Sequence, residues 1–189
     1  MTAIDLAAVL PGFDDPAYGS QAAFRAALQA LSRPGTLVES ERAAYSLCLA
    51  LLDQDTRLWL SPSAQAFGAS LRFHTGCLLV RNAAEADFIF AGNAKELPPL
   101  ESLGLGTDEA PHRSATVILE VEELAVGGSW RLAGPGIPDE ARLRVPALGT
   151  AFLEEWRANQ RRFPRGVDLF VCSGARVCGL PRTTRIEAA

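Results

Sequence analysis

The chain has 189 residues, of which 48% are hydrophobic and 21% charged, with a net charge of −4. A chain of this size and composition buries a sizeable core as one domain without metals or disulfides, which excludes a disordered, collagen-like or coiled-coil protein. The longest dense apolar stretch, residues 43–52, is about half of the roughly 20 residues that a bilayer span needs, so no membrane role is expected. The first residues lack a basic region and carry Asp5, unlike a secretory signal, so a cytoplasmic setting is expected. Cys48, Cys77, Cys172 and Cys178 are too scattered for a disulfide framework or zinc spacing, and read as small buried hydrophobes.

Residues 1–19 read as an extended arm and 20–189 as a single α/β domain. Ser20 has the chemistry of an N-cap for a first helix, whose apolar face is Phe24, Ala27, Leu28 and Leu31, and Pro34-Gly35 stops it. Thr36 to Glu39 suggests a short strand. Residues 43–52 are apolar on every side and predict a helix buried all round; residues 57–60 follow as a strand. Ser61-Pro62-Ser63 opens another helix towards Leu71, and Thr75-Gly76 marks a turn. Residues 77–80 and 87–91 are strand candidates, and 92–114 form a long Pro- and Gly-rich connection. Strands are expected again at 116–121, 130–133, 167–172 and 177–180, with a helix over 149–162 that presents Phe152, Leu153 and Trp156. Ser173-Gly174 predicts a hairpin. The sum is a layered α/β domain with one mixed β-sheet flanked by helices.

Few residues offer chemistry. Gly104-Leu105-Gly106-Thr107 lacks the lysine of a phosphate loop, and Pro135 in Gly134-Pro135-Gly136 has no amide to give, so both read as plain turns. The two histidines, His74 and His112, are too far apart for one metal site and have no nucleophile elbow to serve. His74 reads as a hydrogen-bonded structural imidazole with ligand contact as the alternative, His112 as a surface residue. Adjacent acidic pairs such as Glu122-Glu123 give no acid/base assignment.

Charge is more informative. Residues 1–139 hold 9 basic and 17 acidic groups, whereas 140–189 hold 9 and 5, so the net charge runs from −8 to +4. This balance does not favour nucleic-acid binding by the whole surface. Arg157, Arg161, Arg162, Arg165, Arg176, Arg182 and Arg185 face only Asp168 and Glu187 in their own stretch of sequence. A guanidinium matches carboxylate or phosphate bidentately, so Arg161, Arg165 and Arg182, with His74, are the candidate anion or partner contacts. The competing reading is a solvated, arginine-biased face.

Leu31-Ser32-Arg33-Pro34-Gly35, Leu71-Arg72-Phe73-His74-Thr75, Gly106-Thr107, Leu132-Ala133-Gly134-Pro135-Gly136-Ile137, Phe163-Pro164-Arg165-Gly166-Val167-Asp168 and Pro181-Arg182-Thr183-Thr184 occur in an order that resembles the H-subunit family of the bacterial carbon-phosphorus lyase system. The resemblance implies phosphonate catabolism and a core complex with G, I and J subunits. That complex is required for forming α-D-ribose 1-methylphosphonate 5-triphosphate from ATP and methylphosphonate. It also implies a homodimer outside the complex, a fold resembling the pyridoxal-phosphate-dependent transferases, and no assigned catalytic residue. No cofactor is expected: the one lysine, Lys95, lies in a polar loop, poorly placed for a Schiff base. Three functions stand beside one another: a complex-forming subunit, a free-standing enzyme using His74 and arginines, and a small-molecule or nucleotide-binding regulatory module.

Overall fold

The computed structural model describes residues 9–188, so the part of the expected 1–19 arm over residues 1–8 lies outside the described residues. Its centre is a seven-stranded sheet in the order β1-β9-β8-β5-β4-β2-β3, built from Val38–Glu39 (β1), Arg57–Leu60 (β2), Leu78–Leu79 (β3), Phe88–Ala91 (β4), Thr116–Glu120 (β5), Asp168–Ser173 (β8) and Arg176–Leu180 (β9). The run β8-β5-β4-β2-β3 is parallel, and β9 and β1 add antiparallel pairs, so the sheet is mixed as expected. Strands buried on both faces need apolar residues on both, which the central Val-Ile-Leu of β5 supplies.

Successive residues divide between two layers with period two. Phe90, Ile118, Phe170 and Cys172 point into the layer of helices α1 (Pro16–Ser32), α2 (Ala43–Leu51) and α3 (Gly68–Thr75). Ile89, Val117, Leu119, Leu169 and Val171 face the opposite layer, made of the long connection, α4 (Thr150–Arg161) and a second sheet. That second sheet is the first correction. Three antiparallel strands, β10 (Arg185–Ala188), β6 (Ala125–Ala133) and β7 (Ala141–Arg144), form it separately in the order β10-β6-β7. The register of β6 against β7 slips between Val126 and Trp130, where Gly127 and Gly128 take φ of +77° and +116°, a bulge that other residues would strain.

The second correction concerns α1. It starts at Pro16, not after Ser20: the Asp15 carboxylate accepts the Tyr18 amide at 3.0 Å, and Pro16 fits the first turn because it has no amide to satisfy. Its inward face is as expected at Ala27 and Leu31, which join the core, but not at Phe24 and Leu28. Ala23, Ala26, Ala27 and Ala30 are buried, while Phe24 and Leu28 are 48% and 55% exposed. The reason lies in β9, where a Cβ on Gly179 would sit 2.6 Å from the backbone of Ala30 and Leu31. The helix lies so close to the strand that small side chains, Ala23, Ala26, Ala27 and Ala30, take the buried positions.

Other elements follow the sequence. α2 is buried through Ala43, Ala44, Tyr45, Ser46, Leu47 and Cys48. The helix expected after Ser61 begins as a 3-10 turn, Pro62–Phe67, and becomes α3 only at Gly68; Gly76 ends it with φ of +77°. All four cysteines are buried and free, and burial raises each thiol, Cys178 to about 12. Among the described residues, no helix is long and apolar enough to cross a membrane.

Candidate functional site

Arg161, Arg162, Arg165 and Arg182 gather near the amino ends of the parallel strands, with different commitments, whereas Arg176 lies at the other end, in the β8-β9 hairpin. Arg182 follows β9 and meets Asp168 at the start of β8. Its backbone amide donates to Asp168 Oδ1 at 2.7 Å, Nε to the same oxygen at 3.1 Å, and Nη2 to Oδ2 at 2.5 Å. Nη1 donates to the carbonyls of Pro111 and Pro164, both at 3.1 Å, and Nη2 to Ser114 Oγ at 2.6 Å. The two side chains are only 13% and 24% exposed. Arg182 thus ties β8 to the long connection and to the turn after α4, with its charge neutralised on the spot.

Arg161 and Arg165 are presented differently. Trp156 and Asn159 turn inward from α4, which puts Arg157 and Arg161 on its exposed face, and Arg161 lies in the last turn where the helix dipole favours a cation. Arg165, also exposed, has Nε 3.2 Å from Asp108. Arg162 lies 3.7 Å from Glu101. The carboxylates of the long connection therefore neutralise part of a field that looked uncompensated along the sequence. Among the described residues Arg157 and Arg161 have no carboxylate within salt-bridge distance.

His74 stands apart from this group, on the exposed end of α3. Its Nε2–H donates to the Leu10 carbonyl at 2.9 Å, and the Leu10 amide donates to Ser70 Oγ at 2.9 Å. A Cβ on Gly12 would lie 3.1 Å from the imidazole ring, so the chain crosses close over it. His74 holds the stretch before α1 against the helical layer, which is the structural role its lone setting suggested. His112 is exposed in a 3-10 turn, Pro111–Arg113.

Of the two glycine-containing loops, the first pairs through Leu105 with Ser114 before the chain bends at 108–109, and the second is a turn. In the first, Thr107 Oγ1 accepts the Ala110 amide at 3.0 Å, and Gly106 has φ of +72°. In the second, the Ile137 amide bonds back to the Gly134 carbonyl, and a Cβ on Gly136 would meet the Ser32 carbonyl at 2.2 Å.

The opposite, carboxyl ends of the parallel strands frame a groove that the sequence did not reveal. It has a volume of about 1410 Å³ and is lined by Glu39, residues 92–96, residues 120–123, Pro146, Ala147 and residues 173–176. Its segments are far apart in sequence, and the only local sign was an acidic pair, Glu122-Glu123, just after a strand. One wall is tightly organised. Ser63 donates to Glu96 Oε2 from its hydroxyl at 2.7 Å and its amide at 2.9 Å, and Asn93 Nδ2 donates to Ser63 Oγ at 3.1 Å. Gly92 is needed there, since a Cβ would lie 2.4 Å from Ser63 Oγ. The hydroxyls of Ser61 and Ser63 and the Ser63 amide hold the Glu96 carboxyl at about 2. Across the groove, burial raises Glu120, whose carboxylate accepts the Gly174 amide of the β8-β9 hairpin at 2.9 Å.

The Glu96 geometry gives a pH dependence. A depressed carboxyl contributes stability that is fully present above its ordinary value of 4.5 and is lost as pH falls towards 2. Glu96→Gln is therefore expected to be less stable than the parent at neutral pH, with the difference shrinking as pH falls through that window. Urea midpoints of both proteins across the window check this; a constant difference would contradict it.

A layered α/β domain with a basic and an acidic end is the class that fold and charge define. Within that class, the family model described as bacterial phosphonate metabolism protein (PhnH) matches residues 11–187, and the chain belongs to that family. It is 35% identical over 187 residues to the α-D-ribose 1-methylphosphonate 5-triphosphate synthase subunit PhnH of Rhizobium meliloti (strain 1021), covering 93% of this chain and 94% of that protein. It is also 35% identical over 174 residues to HtxG of Stutzerimonas stutzeri, described as a candidate C-P lyase subunit, covering 88% and 85%.

Proposed function

We propose that the chain is the H-type subunit of a carbon-phosphorus lyase core complex. With G, I and J subunits it supports formation of α-D-ribose 1-methylphosphonate 5-triphosphate from ATP and methylphosphonate, in the cytoplasm. The observation that carries this reading is the nearly full-length match to the Rhizobium meliloti synthase subunit. In this reading the chain supplies binding surface and not a catalytic group, and it pairs with a second copy when its partners are missing. Its doubly flanked, largely parallel sheet supports the likeness to the pyridoxal-phosphate-dependent transferases, with the cofactor dispensed with. Lys95 is exposed in a short turn, Ala94–Glu96, a setting that does not favour a buried Schiff base.

Arg161 and Arg165 make the basic contact with an acidic partner surface, since both are exposed, whereas Arg182 positions the loops around them and His74 anchors the preceding segment. A strain lacking the gene is expected to lose growth on methylphosphonate as sole phosphorus source, keep growth on phosphate, and recover with the gene in trans. Undiminished growth of the deletion strain on methylphosphonate would overturn the reading.

A further inference from the structure

The groove at the carboxyl ends of the parallel strands lies where open α/β sheets most often hold their ligands. β2 continues through α3 to β3 on one side, while β4 continues to β5 on the other, through the opposite layer, so the strand order reverses between β2 and β4. Such reversals leave a crevice outside the strand ends. The Ser63-Glu96 network, beside Gly92, stands at that reversal, and the groove opens next to it over the carboxyl ends of β4, β5 and β8.

Three features define what the groove fits. Its volume of about 1410 Å³ exceeds the roughly 300–1000 Å³ of small-molecule pockets, which points to a stretch of polypeptide. Glu39, Glu96, Glu120, Glu122 and Glu123 line it, the last already paired with Arg144 at 2.6 Å, against two lining cations, Lys95 and Arg176; the net sign is negative and repels phosphate and phosphonate. Between the carboxylates lie Ala94, Val121, Pro146 and Ala147, apolar ground on which the stems of long basic side chains can rest. The desolvated Glu120 carboxylate, with one hydrogen bond from the Gly174 amide, gains most from an incoming cation.

We infer that this groove is a docking site for an arginine- or lysine-bearing segment of another protein subunit, separate from the basic contact at the opposite end of the sheet. A second copy of this chain fits less well. Its basic end inserted here would leave its own groove open, a head-to-tail contact that propagates unless its rotation closes a ring. The inference rests on the reading of the chain as a complex subunit, and it assigns the two ends of the sheet to partner surfaces of opposite charge.

The test compares the affinity of the full chain for the purified partner subunits with that of Glu39→Lys/Glu122→Lys. Both residues are exposed and take no part in the Ser63-Glu96 network. Glu39→Gln/Glu122→Gln serves if the reversal fails to fold, and Glu85→Lys/Asp139→Lys, exposed elsewhere, carries the same change of net charge as the reversal. The groove reversal is expected to weaken binding on the order of tenfold or more at low salt, with the difference narrowing as salt rises, while the control stays near the parent. Equal affinities for groove variant and control would overturn the docking site. A parent chain that binds no partner would instead defeat the subunit reading. The groove is then judged by a labelled hexa-arginine peptide: supported if the groove variant loses it more than the control, overturned if the two bind alike.

Discussion

Replacing Arg182 by alanine is expected to lower the free energy of unfolding by about 3–5 kcal/mol, because it leaves the partly buried Asp168 carboxylate without its counter-charge. The Pro111 and Pro164 carbonyls and the Ser114 hydroxyl lose a donor at the same time, so the long connection and the turn after α4 loosen together. Arg182→Lys is expected to fall between the two, because an ammonium keeps the charge without the planar fork that serves several acceptors at fixed angles. Arg161→Ala, by contrast, removes an exposed side chain and should stay within about 0.5 kcal/mol of the parent. Urea denaturation of the three variants checks the ranking. An Arg182→Ala protein as stable as Arg161→Ala would mean that Arg182 is a surface cation, as free for partner contact as its neighbours.

A second large effect is expected at Trp156. The indole is fully buried, donates from Nε1 to the Thr184 carbonyl at 2.8 Å, and packs on Phe152, which in turn stacks on Trp130. This aromatic column joins α4 to the small second sheet. Trp156→Ala should cost about 3–5 kcal/mol through the cavity it leaves. Trp156→Phe keeps most of the ring packing but strands the buried carbonyl, so a cost of about 1–3 kcal/mol is expected. Thermal and urea unfolding of the pair check this; equal losses would show that the hydrogen bond and not the packing dominates.

These two residues also show what could be read in the sequence. Trp156 was legible, because Phe152, Leu153 and Trp156 repeat at helical spacing and that spacing directly reports the buried face of α4. The unbroken apolar run of α2 and the strands β5 and β8 were legible for the same reason, as local patterns with one physical solution. The inward face of α1 was legible only at Ala27 and Leu31. Phe24 and Leu28 are more hydrophobic than the alanines beside them, but the closeness of packing is dictated by Gly179, far along the chain. β7 and β10 escaped because each is four residues long and buries one large side chain, Leu143 or Ile186, against β6.

The same limit applies to the site. A count of charges along the C-terminal quarter found the arginines but not Asp108 and Glu101, which the long connection brings to Arg165 and Arg162. It could not separate Arg182, held by its own chain, from Arg161, which is exposed. The carboxylates of the groove come from separate segments that only the order of the strands brings together.

The most direct test of the subunit reading is affinity purification of the tagged chain from cells that express it together with the G, I and J subunits. The expected result is a single assembly containing all four proteins in fixed proportion, stable through gel filtration. A chain that elutes alone or only as its own dimer, with the other three assembled without it, would contradict the account.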